Sequence, residues 1–179
     1  MSLKYCMLGL LVMSCIVSCK SDKEEQKPAV ENQGKTKTSD VKVVLDAIVP
    51  VDDDFQLYYN EDQTLNFDND HSVVVNVKGQ DKSQLITFYL SNDALPTALR
   101  LDPGYVKTQQ KITLNSFTVE YYDKKITAKG ADIFKYFQPN DNIVVTGNTL
   151  TPKIVAGNYD PMLYPGSDLL NDLRTLLVK

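Results

Sequence analysis

At 179 residues and 20.1 kDa the chain has room for one domain with extensions. Hydrophobic residues at 42% and charged residues at 23%, with eight Gly and eight Pro, exclude collagen-like, coiled-coil and wholly disordered chains. A net charge of -4 and a pI near 5.0 repel phosphate, and no basic stripe offsets them, so nucleic acid is excluded as a partner.

All three cysteines, Cys6, Cys15 and Cys19, stand near the start, so the rest of the chain has no thiol for a disulfide, a zinc site or a nucleophile. One charge, Lys4, precedes an apolar run from Met7 to Val17. That run fits the h-region of an export signal and is too short to span a bilayer. It ends in Ile16-Val17-Ser18-Cys19, which resembles the lipobox of bacterial lipoproteins, where an aliphatic and a small residue precede a lipidated cysteine. The resemblance implies a signal peptide over 1–18, removed on export, and lipid on both the sulfur and the new amino group of Cys19. Two or more acyl chains, at about 0.8 kcal/mol per buried methylene, make such an anchor stable. Cys15, after Val12-Met13-Ser14, is a second candidate, but apolar Ile16 and Val17 follow it.

Lys20-Ser21-Asp22-Lys23-Glu24-Glu25 resembles the signal that places lipoproteins of the Bacteroidetes on the outer face of the outer membrane, with Lys20 and Lys23 interrupting its acidic cluster. Residues 20–40 hold ten charged side chains and only Ala29 and Val30 as apolar ones, too few to offset the entropy of ordering. The reading over 19–40 is therefore a lipidated cysteine and a disordered tether, with a typical span of roughly 25 Å.

Residues 41–179 carry 13 Lys or Arg (19 less the 6 before residue 41) and 18 Asp or Glu (23 less 5), a net of -5, and are enough for a core. Strand signals recur over Val41–Ile48, Phe55–Tyr59, Thr64–Phe67, Ser72–Val77, Gln84–Leu90, Thr97–Leu101, Lys111–Tyr122, Lys124–Ala128 and Asn142–Thr146. Turn residues such as Asp68-Asn69-Asp70 and Asp102-Pro103-Gly104 separate them, which suits hairpins and an antiparallel arrangement.

In the long strand, Ile112 and Leu114 share a face until Asn115 and Ser116, after which Phe117, Val119 and Tyr121 take over; this phase shift predicts a bulge. Consecutive Val73, Val74 and Val75 predict a central strand buried on both sides, or one whose outer face meets a loop. Ala131–Phe137 reads as one or two helical turns. Ser167–Val178, with leucines 169, 170, 173, 176 and 177 at helical spacing behind a Ser or Asp cap, reads as a C-terminal helix on the sheet.

The expected fold is thus an all-β antiparallel sandwich with a short C-terminal helix. Over residues 54–146 the order of features resembles the jelly-roll domains of carbohydrate-binding modules. The segments that carry the likeness are Phe55-Gln56-Leu57-Tyr58-Tyr59, Leu85-Ile86-Thr87-Phe88-Tyr89-Leu90, and Leu99-Arg100-Leu101-Asp102-Pro103-Gly104 ahead of Ile112-Thr113-Leu114.

Catalytic signals are thin. His71 is the only histidine and follows Asp70 in a turn, and no two glycines beyond residue 41 lie close enough to cradle a phosphate. No carboxylate pair stands out for glycoside hydrolysis, so the chain reads as a non-enzyme without a cofactor. Asp52, Asp54, Asp68 and Asp70 are the densest oxygen donors and form a candidate structural calcium site, although neither cluster has EF-hand spacing. There is no Trp, so sugar contacts fall to tyrosines. In a strand one of Tyr58 and Tyr59, and one of Tyr121 and Tyr122, should face outward. Tyr105, Tyr58 and Tyr121 are the candidate ligand contacts. The expected function is glycan binding by a lipid-anchored module at the cell surface, with a non-catalytic protein-interaction subunit of an outer-membrane complex as the alternative.

Overall fold

The computed structural model describes residues 41–91 and 93–177. The expected signal peptide, the Cys19 lipidation and the tether lie outside them. Among these residues eleven strands are arranged as β1 (Lys42–Val49), β2 (Asp53–Asn60), β3 (Ser72–Val77), β4 (Gln80–Tyr89), β5 (Ala98–Pro103), β6 (Ile112–Tyr121), β7 (Lys124–Lys129), β8 (Phe137–Pro139), β9 (Ile143–Thr146), β10 (Thr149–Pro152) and β11 (Leu163–Pro165). One sheet runs β4-β1-β6-β10-β9, with β7 also paired to β6; the other runs β3-β2-β5-β11-β8. Every strand pairing is antiparallel. The fold is an antiparallel β-sandwich with a C-terminal helix, as the strand pattern predicts.

Alternation builds the core. Val43, Leu45, Ala47 and Val49 of β1 point inward, as do Phe55, Leu57 and Tyr59 of β2, Ile86 and Phe88 of β4, and Leu99 and Leu101 of β5. Phe117 and Phe137 meet edge to face at 4.8 Å between centroids. Helix α1 (Ile133–Tyr136) follows a 3-10 turn over Gly130–Asp132, and α2 (Ser167–Leu177) buries Leu169, Leu173 and Leu176. No Ser or Asp caps α2 from the preceding position. Gly166 stands there, its carbonyl accepting from Leu170 N–H at 3.2 Å, because a β-carbon would fall 2.5 Å from the Lys135 carbonyl oxygen.

The bulge in β6 is present: Asp46 opposes Ser116 while Ala47 opposes Leu114, which leaves Asn115 as the extra residue. Asn115 Nδ2 donates to Ser83 Oγ at 2.8 Å. Two strand expectations need correction. Thr64–Phe67 forms no strand, because side chains supply its backbone partners: Asp62 Oδ1 accepts from Thr64 N–H at 2.9 Å, and Asn60 Nδ2 donates to the Asn66 carbonyl at 2.9 Å. Val73–Val75 lies not in a central strand but in edge strand β3, where Val74 faces solvent at 55% exposure. Strands β8, β10 and β11, three or four residues each and each ending in proline, carry too little periodicity to be read from sequence.

Candidate functional site

Residues of β2 and β5 that do not enter the core build the outer face of the five-stranded sheet. The register places Tyr58 opposite Ser72 on one side and Arg100 on the other. Leu101 pairs with Leu163, which puts Arg100 beside Tyr164, and Tyr164 opposes Gln138. One row therefore crosses all five strands as Ser72, Tyr58, Arg100, Tyr164, Gln138. The next row sets Val74, Gln56 and Asp102 side by side.

Arg100 sits at the centre. Its Nε and Nη2 donate to the two carboxylate oxygens of Asp102 at 2.9 and 2.8 Å, a bidentate pair. The guanidinium carbon lies 4.0 Å from the Tyr58 ring centroid, 5.4 Å from Phe67 and 6.0 Å from Tyr164. Burial opposes the Arg100 charge, but Asp102 and the neighbouring tyrosines outweigh it and raise its pKa. Burial also raises the Asp102 pKa above the ordinary carboxylate value, against the pull of Arg100.

Tyr105 rises from the loop after β5. Its hydroxyl donates to Gln56 Oε1, and Gln56 Nε2 donates to Ser72 Oγ at 2.8 Å. Ser72 Oγ in turn donates to the Asn69 carbonyl at 3.0 Å, while Tyr58 O–H donates to Asn69 Oδ1 at 3.1 Å. Burial, with Tyr58 and Asp102 nearby, pushes the Tyr105 hydroxyl up to about 12, so it stays a donor at neutral pH.

The loop is held by Asp53, a buried carboxylate that neither acidic cluster singled out. It accepts from Tyr105 N–H at 2.8 Å, Val106 N–H at 3.2 Å and Gln109 Nε2 at 2.9 Å. Tyr159 adds a buried hydroxyl without a hydrogen-bond partner among the described residues; burial and the Asp53 charge push it up to about 12.

Of the tyrosines read as contacts, only Tyr105 is exposed, at 51%. Tyr58 points outward but is covered, since Arg100 lies over its ring; Tyr59 points into the core, so neither residue of that pair is exposed. Tyr121 is the buried member of its pair and Tyr122 the exposed one. Tyr58 and Tyr121 are thus packing residues, and Tyr164, exposed beside Arg100, takes the open position.

The four aspartates do not converge. Asp52 pairs with Lys78 Nζ and Gly79 N–H, both at 2.7 Å, and the Lys78 bond lowers its pKa. Asp54 accepts from Asn76 Nδ2 at 2.7 Å, and Asp68 caps the 3-10 turn that contains Asp70. Because Asp54 opposes Asn76 and Tyr58 opposes Ser72, the two clusters stand at opposite ends of β2, roughly 14 Å apart at 3.4 Å per residue. Ca–O distances of about 2.3–2.6 Å cannot join them. Among the described residues no group of three His, Cys, Asp or Glu is placed to hold a metal, and no helix is long and apolar enough to cross a membrane.

Depressions elsewhere include a cleft of about 430 Å³ between β7 and the start of α2, and an apolar groove of about 300 Å³ between Leu95-Pro96 and Leu173. Sequence reasoning gives no role to Asp53, and meets Gln56, Arg100 and Asp102 only inside segments that carry the fold likeness. Their signal was the alternation of Arg100 and Asp102 with Leu99 and Leu101, which sends both polar side chains to one outer face. Comparison with known protein families, curated proteins and solved structures returned no match to this chain.

Proposed function

We propose that the protein is a non-catalytic, lipid-anchored binding module of the outer membrane, and that its ligand is a glycan laid across the outer face of the five-stranded sheet. The observation that carries this reading is the Tyr58–Arg100–Tyr164 row beside exposed Tyr105. A sugar presents an apolar face of C–H groups and a rim of hydroxyls. Tyr105 and Tyr164 offer flat apolar faces for the first, and the N–H groups of Arg100 not taken by Asp102 offer donors for the second. Because Asp102 holds Arg100, and Gln56, itself bonded to Ser72, holds Tyr105 before a ligand arrives, little entropy of these two side chains is lost on binding. Anchoring through lipid on Cys19 would fix the module at the membrane where such a ligand is met.

The test is a screen of the protein against a glycan array and insoluble polysaccharides, with Tyr105→Ala and Tyr164→Ala in parallel. Binding that both substitutions weaken supports the reading. Binding that neither alters, or no binding to any polysaccharide, removes it and leaves a protein partner as the ligand class.

A further inference from the structure

We propose that a second copy of this chain pairs with the free edge of β4, about a two-fold axis through Thr87, joining two six-stranded sheets into one. The surface lies on the sheet opposite the ligand row and does not depend on the glycan reading. Among the described residues β4 pairs only with β1, so its other edge is open.

The hydrogen-bond phase shows what that edge offers. Leu90 N–H donates to the Val41 carbonyl at 3.1 Å, so residue 90 bonds toward β1, and by alternation so do Phe88 and Ile86. Leu85, Thr87 and Tyr89 therefore turn their N–H and C=O groups outward. The same three residues carry their side chains on the solvent face, where Leu85 is 70% and Tyr89 64% exposed, the highest values among the exposed large hydrophobics.

Where pairing can run is also bounded. The β1–β4 register shifts between Ala47 opposite Gln84 and Val49 opposite Gln80, which places a bulge at 81–83 that contains Lys82. Bulges and lysines are devices that block edge pairing, so only Gln84–Tyr89 remains regular and open. A two-fold axis normal to the sheet keeps each side chain on its own face, so opposed residues must have the same parity. Centring on Thr87 sets Leu85 against Tyr89 of the other copy, Tyr89 against Leu85, and Thr87 against itself. Each outward backbone group of the segment then has a partner, and both exposed hydrophobics cover each other twice. No other centre pairs Leu85 with Tyr89.

The test is cysteine cross-linking of the full chain in detergent under mild oxidation, with the unsubstituted chain as baseline for its native cysteines. Thr87→Cys should give a covalent dimer in excess of baseline, since opposed α-carbons at about 5.5 Å suit a disulfide. Leu85→Cys alone and Tyr89→Cys alone should not, because the same residue in the two copies is then roughly 14 Å away. Mixed together, those two variants should cross-link. Dimers from Leu85→Cys alone, or none from Thr87→Cys, overturn the proposal. Sedimentation of Thr87→Lys gives a second readout without cysteines: it should be monomeric where the unsubstituted chain is dimeric, and a dimer that persists places the contact elsewhere.

Discussion

Gly104 approaches the Asp53 carboxylate so closely that a β-carbon on it would fall 2.1 Å from Asp53 Oδ2. Its φ of +95° adds a second reason for glycine. The carboxylate is thereby free to bind the two amides that follow and to aim Tyr105 at Gln56. Gly104→Ala should cost about 2 kcal/mol or more, through backbone strain and loss of these bonds. Urea unfolding measures it; a change below about 0.5 kcal/mol, the range of ordinary surface substitutions, would show that the loop tolerates displacement of Asp53.

Arg100 donates two hydrogen bonds to Asp102 in a covered setting, so removing one partner strands the other. Arg100→Met and Asp102→Leu should each destabilise by about 3 kcal/mol, and the double variant by much less than the sum. The rise in the Asp102 pKa bears on Arg100→Met: burial makes the carboxylate charge unfavourable, Arg100 offsets part of that, and its removal leaves the cost uncompensated. Additive effects in the cycle would mean that the pair acts as two independent side chains.

Much of the sandwich was legible because Val43, Leu45 and Ala47, or Phe55, Leu57 and Tyr59, alternate cleanly with outward residues. The bulge at Asn115 was legible for the same reason, since a phase slip in a long strand leaves a written trace. Thr64–Phe67 was misread because Asn60 and Asp62, which supply its hydrogen bonds from outside the segment, do not enter a propensity count. The ligand face was read only in part. Alternation says which tyrosine of a pair points outward, but Tyr58 is covered by Arg100, a contact that register alone creates by placing residues 42 apart in sequence side by side.

Tyr105 should carry a share of the loss of stability at alkaline pH. Its folded value lies at about 12 against 10.0 for an unperturbed tyrosine. A group whose folded value is raised contributes fully below the unfolded value, and its contribution falls as pH rises through the folded one. Stability should therefore drop between pH 10 and about 12, and Tyr105→Phe should flatten part of that drop, leaving the share due to Tyr159 and to Tyr136, whose hydroxyl burial and Asp172 also push up. Urea midpoints across that range for both chains decide it; identical slopes would assign the effect to other residues.

His71 is the only histidine, so its proton resonances report one site. Asp68 Oδ1 accepts from His71 N–H and lies 3.0 Å from Nδ1 of the ring, which stands edge-on to Tyr59 with centroids 5.5 Å apart. The bond to Asp68 is the largest cause raising the His71 pKa above 6.5, and the same bond lowers Asp68 below 3.8. For the raised histidine the contribution is complete below 6.5 and lost as pH rises through its folded value; for the lowered aspartate it is complete above 3.8 and lost as pH falls through its own. The pair thus supports the turn that leads into β3 most strongly in mildly acidic solution. Both groups are exposed, so the readout is the titration itself. NMR should place His71 above 6.5, and Asp68→Asn should bring it down toward that value, with only the weaker fields of Glu61 and Asp70 remaining. A histidine that titrates at or below 6.5 in the unsubstituted protein would mean that the imidazolium gains nothing from Asp68 in solution.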